Sequence, residues 1–345
     1  MNPATPAVVA PPFFSLAAMP SLVLVTGASG FVGRAVVARL TRSARGGRPV
    51  RAAWRRVVPA DALALAHGVH GVRVGELAPR TDWRDALDGV GAVVHCAARV
   101  HVMQETAADP LAEFRRANVA GTLQLARQAA AAGVRRFVFI SSIGVNGAET
   151  FGTPFTADDV PAPHSVYAQS KHEAELGLQA LARTSGIEVV IIRPPLVYGP
   201  GAPGNLDRLI RALHRGLPLP FGAVHNQRSL VALGNLVNLI ETCLDHPAAA
   251  NQTFLASDGE DISTTALLKH LAAALGKPAR LIPVPVALLN AAARLVGKPE
   301  IVQQLCGSLQ LDISKTRSVL GWAPVLRLAD ALDEAARGSL AGQAR

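Results

Sequence analysis

A short apolar run, a glycine-rich turn and a helical pattern follow one another near the start of this chain, and this order restricts its fold more than any other feature. The apolar run is Leu22–Val25, the turn extends from Gly27 to Gly33, and the helical pattern covers Arg34–Leu40. Small residues in such a turn let the backbone approach a pyrophosphate, which the N-terminus of the helix stabilises. An ordinary tight turn is the alternative, but the flanking strand and helix favour a dinucleotide site. The residues predicted to form that site are Gly27, Ser29, Gly30, Phe31, Val32 and Gly33.

Short apolar runs alternate with helical patterns through the first half of the chain. This alternation predicts an α/β fold, a doubly wound parallel sheet with helices on both faces. A long helix is predicted over Pro110–Ala132, because its apolar residues mostly share one face. The predicted strands are Leu22–Val25, Val50–Ala53, Ala92–His95, Phe137–Ser141 and Glu188–Ile192.

The pattern changes after Ile192. Pro194, Pro195 and the run Tyr198–Gly201 break any helix, and short helices and loops follow. A smaller C-terminal substrate lobe is predicted there, because ligands of open α/β sheets bind outside the carboxyl ends of the strands. The predicted division is a loose N-terminal extension over 1–20, a dinucleotide-binding domain over 21–193, and mainly substrate lobe over 194–345, with some segments returning to the sheet.

The composition excludes several classes of protein. The formal net charge is +9 over 345 residues, but no basic run is interleaved with aromatic residues, so no nucleic-acid partner is predicted. Cys96, Cys243 and Cys306 lie far apart, which argues against a disulfide framework or a metal site and fits a reducing compartment. No uncharged run approaches the roughly 20 residues of a transmembrane helix, and the N-terminal stretch has no basic segment typical of a secretion signal. A cytoplasmic protein without membrane insertion is therefore predicted.

Tyr167 and Lys171 are the predicted acid–base pair. Four residues apart on a helix, their side chains share one face. A phenol has an unperturbed pKa of about 10, and a neighbouring ammonium favours its ionised form. The pair can therefore exchange a proton with a carbinol or carbonyl oxygen. The spacing alone is a weak signal, but here it follows the nucleotide loop and a serine at a strand end, Ser142.

Together these motifs resemble the extended short-chain dehydrogenase/reductases, in particular the nucleotide-sugar epimerase/dehydratase branch. The resemblance extends from about Leu22 to about Leu332 and implies a Rossmann-like dinucleotide-binding domain. Within the branch, 4-epimerases and 4-keto-sugar reductases are the most similar, and the stretches Ala98–Val102 and Ser308–Asp312 favour the reductases. The motifs that carry the resemblance are Thr26-Gly-x-x-Gly-x-x-Gly33, His95–Ala98, Asn118–Thr122, Ser141-Ser142, Tyr167-x-x-x-Lys171, Arg193-Pro194 and Tyr198–Gly201.

The resemblance also implies roles for individual residues. Ser142 would hydrogen-bond the substrate oxygen beside the tyrosine and stabilise its developing charge. Lys171 would hold the nicotinamide ribose and lower the pKa of Tyr167, and Asn118 would shape the site near that lysine. His95 is expected to pack and to contact the cofactor rather than to act as an acid or a base. The further cofactor contacts implied are Glu76, Leu77, Ala97, Ala98, Asn118, Tyr167, Lys171 and Pro194.

The end of the second predicted strand bears on the choice of cofactor. Folds that prefer NAD usually place a carboxylate there for the ribose 2′-hydroxyl, whereas this chain has Ala53-Trp54-Arg55-Arg56. An arginine at this place can bind a 2′-phosphate. We therefore predict NADP or NAD as the cofactor, with NADP favoured and Arg55 as the contact.

For the nucleotide sugar, the resemblance points to Asn205 and Arg228. An arginine can bind a diphosphate through two parallel hydrogen bonds. An acid-containing stretch often follows this arginine in the family, but Val231–Asn235 contains no acid. Gly234 or Asn235 is therefore expected to cap the next helix.

The predicted function is an NAD(P)-dependent oxidoreductase that reduces a UDP-linked 4-keto-6-deoxy-hexosamine at C4, with Tyr167 protonating the oxygen. The alternative is a UDP-hexose 4-epimerase, which uses the same residues on tightly held NAD without net redox change. A non-catalytic NAD(P)-binding protein and a reductase of another class of ketone are further alternatives. The resemblance also implies a homodimer, through a four-helix interface built from the Pro110–Ala132 and Val166–Arg183 helices.

Overall fold

The computed structural model describes residues 22–42, 47–56, 68–100, 109–295, 297 and 299–341. The predicted extension over residues 1–20 lies outside them, as do His101 and Val102 at the end of the stretch that favours the reductases. None of the described helices combines the length and the apolarity that a bilayer crossing requires.

The described strands form one large and one small sheet. Their bounds are β1 Val23–Thr26, β2 Val50–Trp54, β3 Val69–Arg73, β4 Ala92–His95, β5 Arg136–Ile140, β6 Glu188–Arg193, β7 Leu196–Tyr198, β8 Arg228–Ala232, β9 Thr253–Leu255 and β10 Asp261–Ile262. The large sheet is parallel throughout, in the order β3-β2-β1-β4-β5-β6-β9, and the small sheet has the order β10-β8-β7. The strand order reverses between β1 and β4, and this is the point where open α/β sheets bind ligands. The predicted Rossmann-like fold is confirmed.

Helices cover both faces of the large sheet and surround the small one. Their bounds are α1 Phe31–Thr41, α2 Arg84–Leu87, α3 Pro110–Phe114, α4 Thr122–Ala131, α5 Val166–Ser185, α6 Asn205–His214, α7 Leu233–Asp245, α8 Thr264–Ala274, α9 Val286–Leu295, α10 Pro299–Cys306, α11 Ser314–Leu320 and α12 Leu328–Ala341. A π-helical segment, Arg115–Gly121, joins α3 to α4. The helix predicted over Pro110–Ala132 is therefore present, but with a wider turn in its middle.

The side chains of β1 point alternately to the two faces of the sheet, and both sets are apolar, so both faces need to be covered. Val25 belongs to the buried cluster that contains Val36 of α1. Leu24 points to the other face and belongs to the cluster that contains Leu125 of α4 and Leu178 of α5. Successive strand residues point to opposite faces, so a continuous apolar run predicts helices on both sides.

Two strands of the large sheet were not predicted from the sequence. β3 forms one edge of the sheet, and three of its five residues are exposed, so it carries no apolar run. β9 is three residues long and pairs with β6 from the C-terminal half of the chain. A segment from beyond residue 194 thus returns to the large sheet, while the domain boundaries themselves stay predictions.

The helix after β8 differs from the expectation. Its N-cap is Ala232, which has no side-chain cap, rather than Gly234 or Asn235. Asn235 is fully buried and donates a hydrogen bond to Asp258 Oδ1 at 2.7 Å, and the same oxygen accepts the Ala232 N–H at 2.8 Å. A carboxylate from beyond β9 therefore supplies the acid that the local sequence lacks. Asp258 also accepts the Tyr198 hydroxyl at 2.7 Å.

Candidate active site

The predicted dinucleotide loop lies between β1 and α1, and two of its glycines are sterically required. Gly27 has a φ of +66°, and a Cβ there would lie 2.8 Å from the backbone nitrogen of Ala97. A Cβ on Gly33 would lie 2.1 Å from the carbonyl oxygen of Gly27. Only glycine allows the loop, the helix and the segment after β4 to approach this closely.

The loop leaves the N-terminus of α1 accessible. Gly30 is the N-cap of this helix, it is exposed like Ser29, and it offers no side chain to the first-turn N–H groups. Phe31 and Val32 begin the helix and are half-buried. The first four N–H groups of a helix have no partner within it, so this end can accept a negatively charged group.

His95 joins this loop to its surroundings. Its Nδ1 lies 2.7 Å from the hydroxyl of Thr26, and its Nε2 lies 2.9 Å from the hydroxyl of Thr122. The Thr26 hydroxyl also accepts the N–H of Ala97 at 3.2 Å, and half-buried Ala98 follows. Complete burial lowers the pKa of His95 to about 3. A neutral imidazole in this position binds strand ends together and is unsuited to acid–base work at neutral pH.

Asn118 lies within the π-helical segment Arg115–Gly121 and is buried. Its side chain accepts the N–H of Arg99 at 2.7 Å and donates to the carbonyl oxygen of Arg99 and to the hydroxyl of Ser170, both at 3.0 Å. The Ser170 hydroxyl in turn donates to the carbonyl oxygen of Tyr167 at 2.7 Å. Asn118 therefore ties the loop after β4 to the helix of the predicted acid–base pair. Single π turns often mark functional sites.

Tyr167 and Lys171 lie in the first two turns of α5, whose N-cap Ser165 accepts the N–H of Ala168 at 3.1 Å. Lys171 is buried, and its Nζ donates to the carbonyl oxygen of Ile140 at 2.7 Å. The same Nζ lies 6.0 Å from the centre of the half-buried Tyr167 ring. The predicted pair is thus brought to the carboxyl end of β5.

Burial shifts both titrations of this pair. It raises the pKa of Tyr167 to about 12 and lowers the pKa of Lys171 to about 8. The sequence led us to expect a lowered tyrosine pKa, and in this structure that expectation is wrong. The physical reason is that burial penalises the phenolate, and this penalty outweighs the stabilisation by the ammonium of Lys171, whose Nζ donates to Ile140.

Ser142 lies two residues after the end of β5 and is half-buried. Its hydroxyl accepts the N–H of Gly144 at 3.1 Å and so caps a short 3₁₀ turn. The N–H of Ile143 is bound by the carbonyl oxygen of the buried Pro194, at 2.9 Å. The ends of β5 and β6 are therefore joined around this serine, and its hydroxyl keeps a donor hydrogen for a further partner.

The remaining predicted cofactor contacts lie on the other side of the loop. A Cβ on Gly121 would lie 2.8 Å from the side chain of Leu77, so the segment after β3 packs against the π turn. Glu76 is mostly exposed and lies 3.8 Å from Arg116. Arg55 is exposed at the end of β2, and no residue that the structure describes is bonded to it.

Asn205 and Arg228, the predicted sugar-lobe contacts, both reach the C-terminal part of α10 and the residue after it. Asn205 donates to Gln304 Oε1 at 3.2 Å, and Arg228 donates to the carbonyl oxygen of Gly307 at 2.8 Å. A cavity of about 340 Å³ lies beside Gly307 and is also lined by Glu149. The two residues are thus brought to one segment at the edge of a cavity.

The glycine loop, the serine after β5 and the tyrosine–lysine helix meet at the carboxyl ends of the central strands, and this arrangement matches a known family. The model of the NAD dependent epimerase/dehydratase family matches residues 23–256. The chain belongs to this family. It is an enzyme of the extended short-chain dehydrogenase/reductase type, and the predicted membership is confirmed.

Three relatives in this group illustrate the similarity. The chain is 47% identical over 324 residues to a UDP-glucose 4-epimerase of Vibrio cholerae, covering 93% of this chain and 96% of that protein. Its fold matches that of UDP-glucuronic acid 4-epimerase from Bacillus cereus in complex with NAD, with a TM-score of 0.75, 21% identity and coverage of 92% and 96%. MoeE5 in complex with UDP-glucose and NAD matches with a TM-score of 0.72, 26% identity and coverage of 93% and 99%.

These similarities decide some predictions and leave others open. An NAD-dependent enzyme of a nucleotide-sugar family is supported, whereas the preference for NADP and the reduction of a 4-keto sugar are not confirmed. The epimerase alternative is the better supported one. The site residues, the homodimer and the cytoplasmic location stay predictions.

Sequence reasoning missed several buried polar residues around the site. Glu175 binds both Ser141 and Arg193, and Thr122 binds His95. A signal for Glu175 existed, because it lies four residues after Lys171 on the helix face that carries the predicted pair. Its partners Ser141 and Arg193 each lie in a short family motif, but the sequence gives no sign that they bind Glu175.

Proposed function

We propose that this enzyme is a UDP-hexose 4-epimerase that works on bound NAD. The observation that carries the proposal is the 47% identity to a UDP-glucose 4-epimerase over nearly the full length of both chains. Tyr167, Lys171 and Ser142, at the carboxyl ends of neighbouring strands, supply the groups that a reversible oxidation at C4 needs.

The chain's own residues fit a dinucleotide. The loop can adopt its tight conformation only because Gly27 and Gly33 carry no Cβ, and the first-turn N–H groups of α1, which this loop leaves accessible, can bind the charge of a pyrophosphate. Ala97 and Lys171 lie on the side of the loop towards β5, where the nicotinamide end would be held. When bound, NAD supplies an acceptor for the C4 hydride and returns that hydride to either face of the sugar.

Tyr167 is assigned the proton transfer. An epimerase cycle begins with a C4 hydroxyl, so Tyr167 first acts as the phenolate and takes the proton of that hydroxyl while the hydride leaves C4. The phenol formed in this step then returns the proton to the C4 keto oxygen. Because burial raises the pKa of Tyr167 to about 12, the phenolate needs the positive charge of Lys171 for its stabilisation. Ser142 is assigned a hydrogen bond to the same oxygen. The hydride of C4 and the proton of its oxygen both leave and both return in each cycle, so the reaction has no net redox change.

The remaining assignments concern binding. Glu76, Leu77, Ala98 and Pro194 are assigned to the cofactor because they follow β3, β4 and β6 at the carboxyl ends of the strands. Asn118 is assigned to it because its side chain binds the loop after β4. Asn205 and Arg228 are assigned to the UDP group, since they bind Gln304 and Gly307 in one segment, and Gly307 lines the cavity.

The test begins with the cofactor content of the purified protein. Denaturation should release near-stoichiometric NAD, and the undenatured protein should interconvert UDP-glucose and UDP-galactose without added cofactor. If the protein is empty, binds NADPH tightly and is inactive on both sugars, the reductase with Arg55 as its 2′-phosphate contact replaces this proposal. If the protein binds neither nucleotide, the catalytic assignment fails altogether.

A further inference from the structure

A buried carboxylate lies directly behind the proposed reacting groups. Glu175 on α5 is 1% exposed and is positioned one turn after Lys171 and two turns after Tyr167. Arg193, at the end of β6, donates to it from Nε at 3.0 Å and from Nη2 at 2.6 Å. The hydroxyl of Ser141 donates to the same carboxylate at 2.5 Å. Bidentate pairing of this kind fixes orientation as well as charge.

The bonds of Glu175 complete a frame around Ser142. The N–H of Ser141 donates to the carbonyl oxygen of Ile192 at 2.8 Å, and the hydroxyl of Ser141 is held by Glu175. On the other side of Ser142, the N–H of Ile143 is held by Pro194 at 2.9 Å. The backbone is therefore fixed immediately before and after the serine.

Arg193 extends this frame beyond the serine. Its Nη1 donates to the side chain of Asn146 at 2.9 Å, and Asn146 donates to the carbonyl oxygen of Thr156 at 2.8 Å. Arg193 and Asn146 are both buried. One carboxylate thus links α5, the end of β5, the end of β6 and the segment that follows Ser142.

We propose that Glu175 is a positioning residue for the reaction: its carboxylate fixes the backbone around Ser142 against the helix of Tyr167 and supports the positive charge of Lys171. This inference rests on the roles proposed above for those three residues. Glu175 itself lies behind the strand ends and touches neither substrate nor cofactor.

The electrostatic part of the inference follows from the groups that face Lys171. His95 and Cys96 face it from the end of β4, Tyr167 and Glu175 face it from its own helix, and Ile140 of β5 offers a carbonyl oxygen. Of these groups, His95 is neutral and burial raises the pKa of Cys96 to about 12. The acidic group that favours the protonated form of Lys171 is therefore Glu175, which is also paired with Arg193. His172 Nδ1 lies 3.9 Å from that carboxylate.

The test compares Glu175→Gln with Glu188→Gln. Glu188 pairs with Arg136 at 2.5 Å. Arg136 is the first residue of β5 and Glu188 the first residue of β6, so this pair lies at the opposite ends of these strands from the site. Glu175→Gln should lower kcat about 10- to 100-fold with little change in KM, because a small misplacement of a reacting group has an effect of this size. The alkaline limb of its pH–activity profile should also shift to lower pH than in the wild type. The reason is that the variant lacks the carboxylate charge that favours the protonated form of Lys171. Glu188→Gln should change the melting temperature only.

A second readout needs neither substrate nor cofactor. The ammonium of Lys171 can be titrated by side-chain NMR, with its signal assigned by its loss in Lys171→Arg. Its pKa should fall in Glu175→Gln and stay near the wild-type value in Glu175→Asp and Ser141→Ala. Ser141→Ala should nevertheless lose part of kcat, since one bond of the frame is removed.

The outcomes separate this inference from the proposed function. If wild-type protein does not interconvert UDP-hexoses, the proposed function fails, and the NMR titration still decides whether Glu175 supports Lys171. An unchanged Lys171 pKa in Glu175→Gln, or kcat and alkaline limb equal to those of Glu188→Gln, would overturn the inference. If Glu175→Gln does not fold, Ser141→Ala with full kcat would overturn the positioning role.

Discussion

The ammonium of Lys171 donates a hydrogen bond to the carbonyl oxygen of Ile140, 2.7 Å away. Ile140 ends β5, two residues before Ser142, so this bond joins the helix of the tyrosine to the strand of the serine. The lysine therefore has a structural partner as well as the proposed role towards the cofactor and Tyr167. The buried ammonium thus holds strand and helix together and is also the charge next to the proposed acid–base group.

Tyr167→Phe tests the proton transfer. Removing the hydroxyl should lower kcat by about 10²- to 10⁴-fold, the usual contribution of general acid–base catalysis. NAD content and melting temperature should stay near those of the wild type. Tyr198→Phe is the matched control, because Tyr198 is the other tyrosine of the chain and its buried hydroxyl binds Asp258 instead. Full epimerase activity in Tyr167→Phe would refute the assignment.

Gly33→Ala tests the cofactor loop. The added Cβ would lie 2.1 Å from the carbonyl oxygen of Gly27, so the loop has to move, at a cost of about 1–3 kcal/mol, and NAD binding should be lost. Gly30→Ala is the control, since its Cβ would meet the same oxygen at 3.2 Å, a contact that small adjustments relieve. NAD titration and thermal unfolding of both variants check this. Equal NAD affinity in the two variants contradicts the steric argument.

The strands that are buried on both faces could be predicted from the sequence, and the exposed or very short strands could not. The central strands are apolar because both of their faces are covered, so periodicity reveals them. The exposed edge strand Val69–Arg73 and the three-residue strand Thr253–Leu255 have no such signature. The π segment around Asn118 also could not be predicted, because one extra residue in a helical turn does not alter the apolar pattern enough.

The residues of the site also fall into a group that the sequence predicted and a group that it did not. Short motifs predicted the loop, Ser142 and the tyrosine–lysine pair, because each motif is local in sequence. The pairing of Glu175 with Arg193 joins residues 18 positions apart, and Asp258 reaches Ala232 from 26 positions away. Such partners are set by the packing of the sheet. The direction in which the pKa of Tyr167 shifts likewise depends on burial, which the four-residue spacing to Lys171 does not reveal.

Arg55→Ala tests the choice between NAD and NADP. If the enzyme works on NAD, the variant should keep NAD affinity within about twofold, because Arg55 is exposed at the end of β2. If Arg55 binds a 2′-phosphate, NADP affinity should fall by about tenfold, the value of one charge-assisted hydrogen bond. Titration of stripped protein with both nucleotides separates the cases. A wild-type preference for NADP that Arg55→Ala abolishes would contradict NAD as the natural cofactor.

Lys171→Met tests the cost of the buried ammonium. The folded-state pKa of about 8 lies below the ordinary value of 10.5, so between these values the unfolded chain binds more protons than the folded one. The unfolding free energy of the wild type, relative to Lys171→Met, should therefore rise with pH across this window by up to about 3 kcal/mol. Urea unfolding of both proteins at several pH values measures it. A difference that is independent of pH would mean that Lys171 titrates normally.

His95→Gln tests the buried network at the end of β4. Burial lowers the pKa of His95 from 6.5 to about 3, so the unfolded chain binds more protons as the pH falls through this window. The stability contributed by the neutral imidazole is complete above pH 6.5 and should decrease as the pH falls towards 3, by up to about 5 kcal/mol. His95→Gln removes this titration and should flatten the acid side of the stability profile.

The same variant has a second expected effect. A glutamine cannot reach Thr26 and Thr122 with the geometry of the ring, and a buried hydroxyl without its partner costs about 1–3 kcal/mol. His95→Gln should thus be less stable than the wild type at neutral pH and should hold NAD less tightly, because Thr26 also positions Ala97. His225→Gln, at an exposed histidine, should keep the acid dependence of the wild type. If both variants retain that dependence, the network around His95 does not set the acid limit of stability.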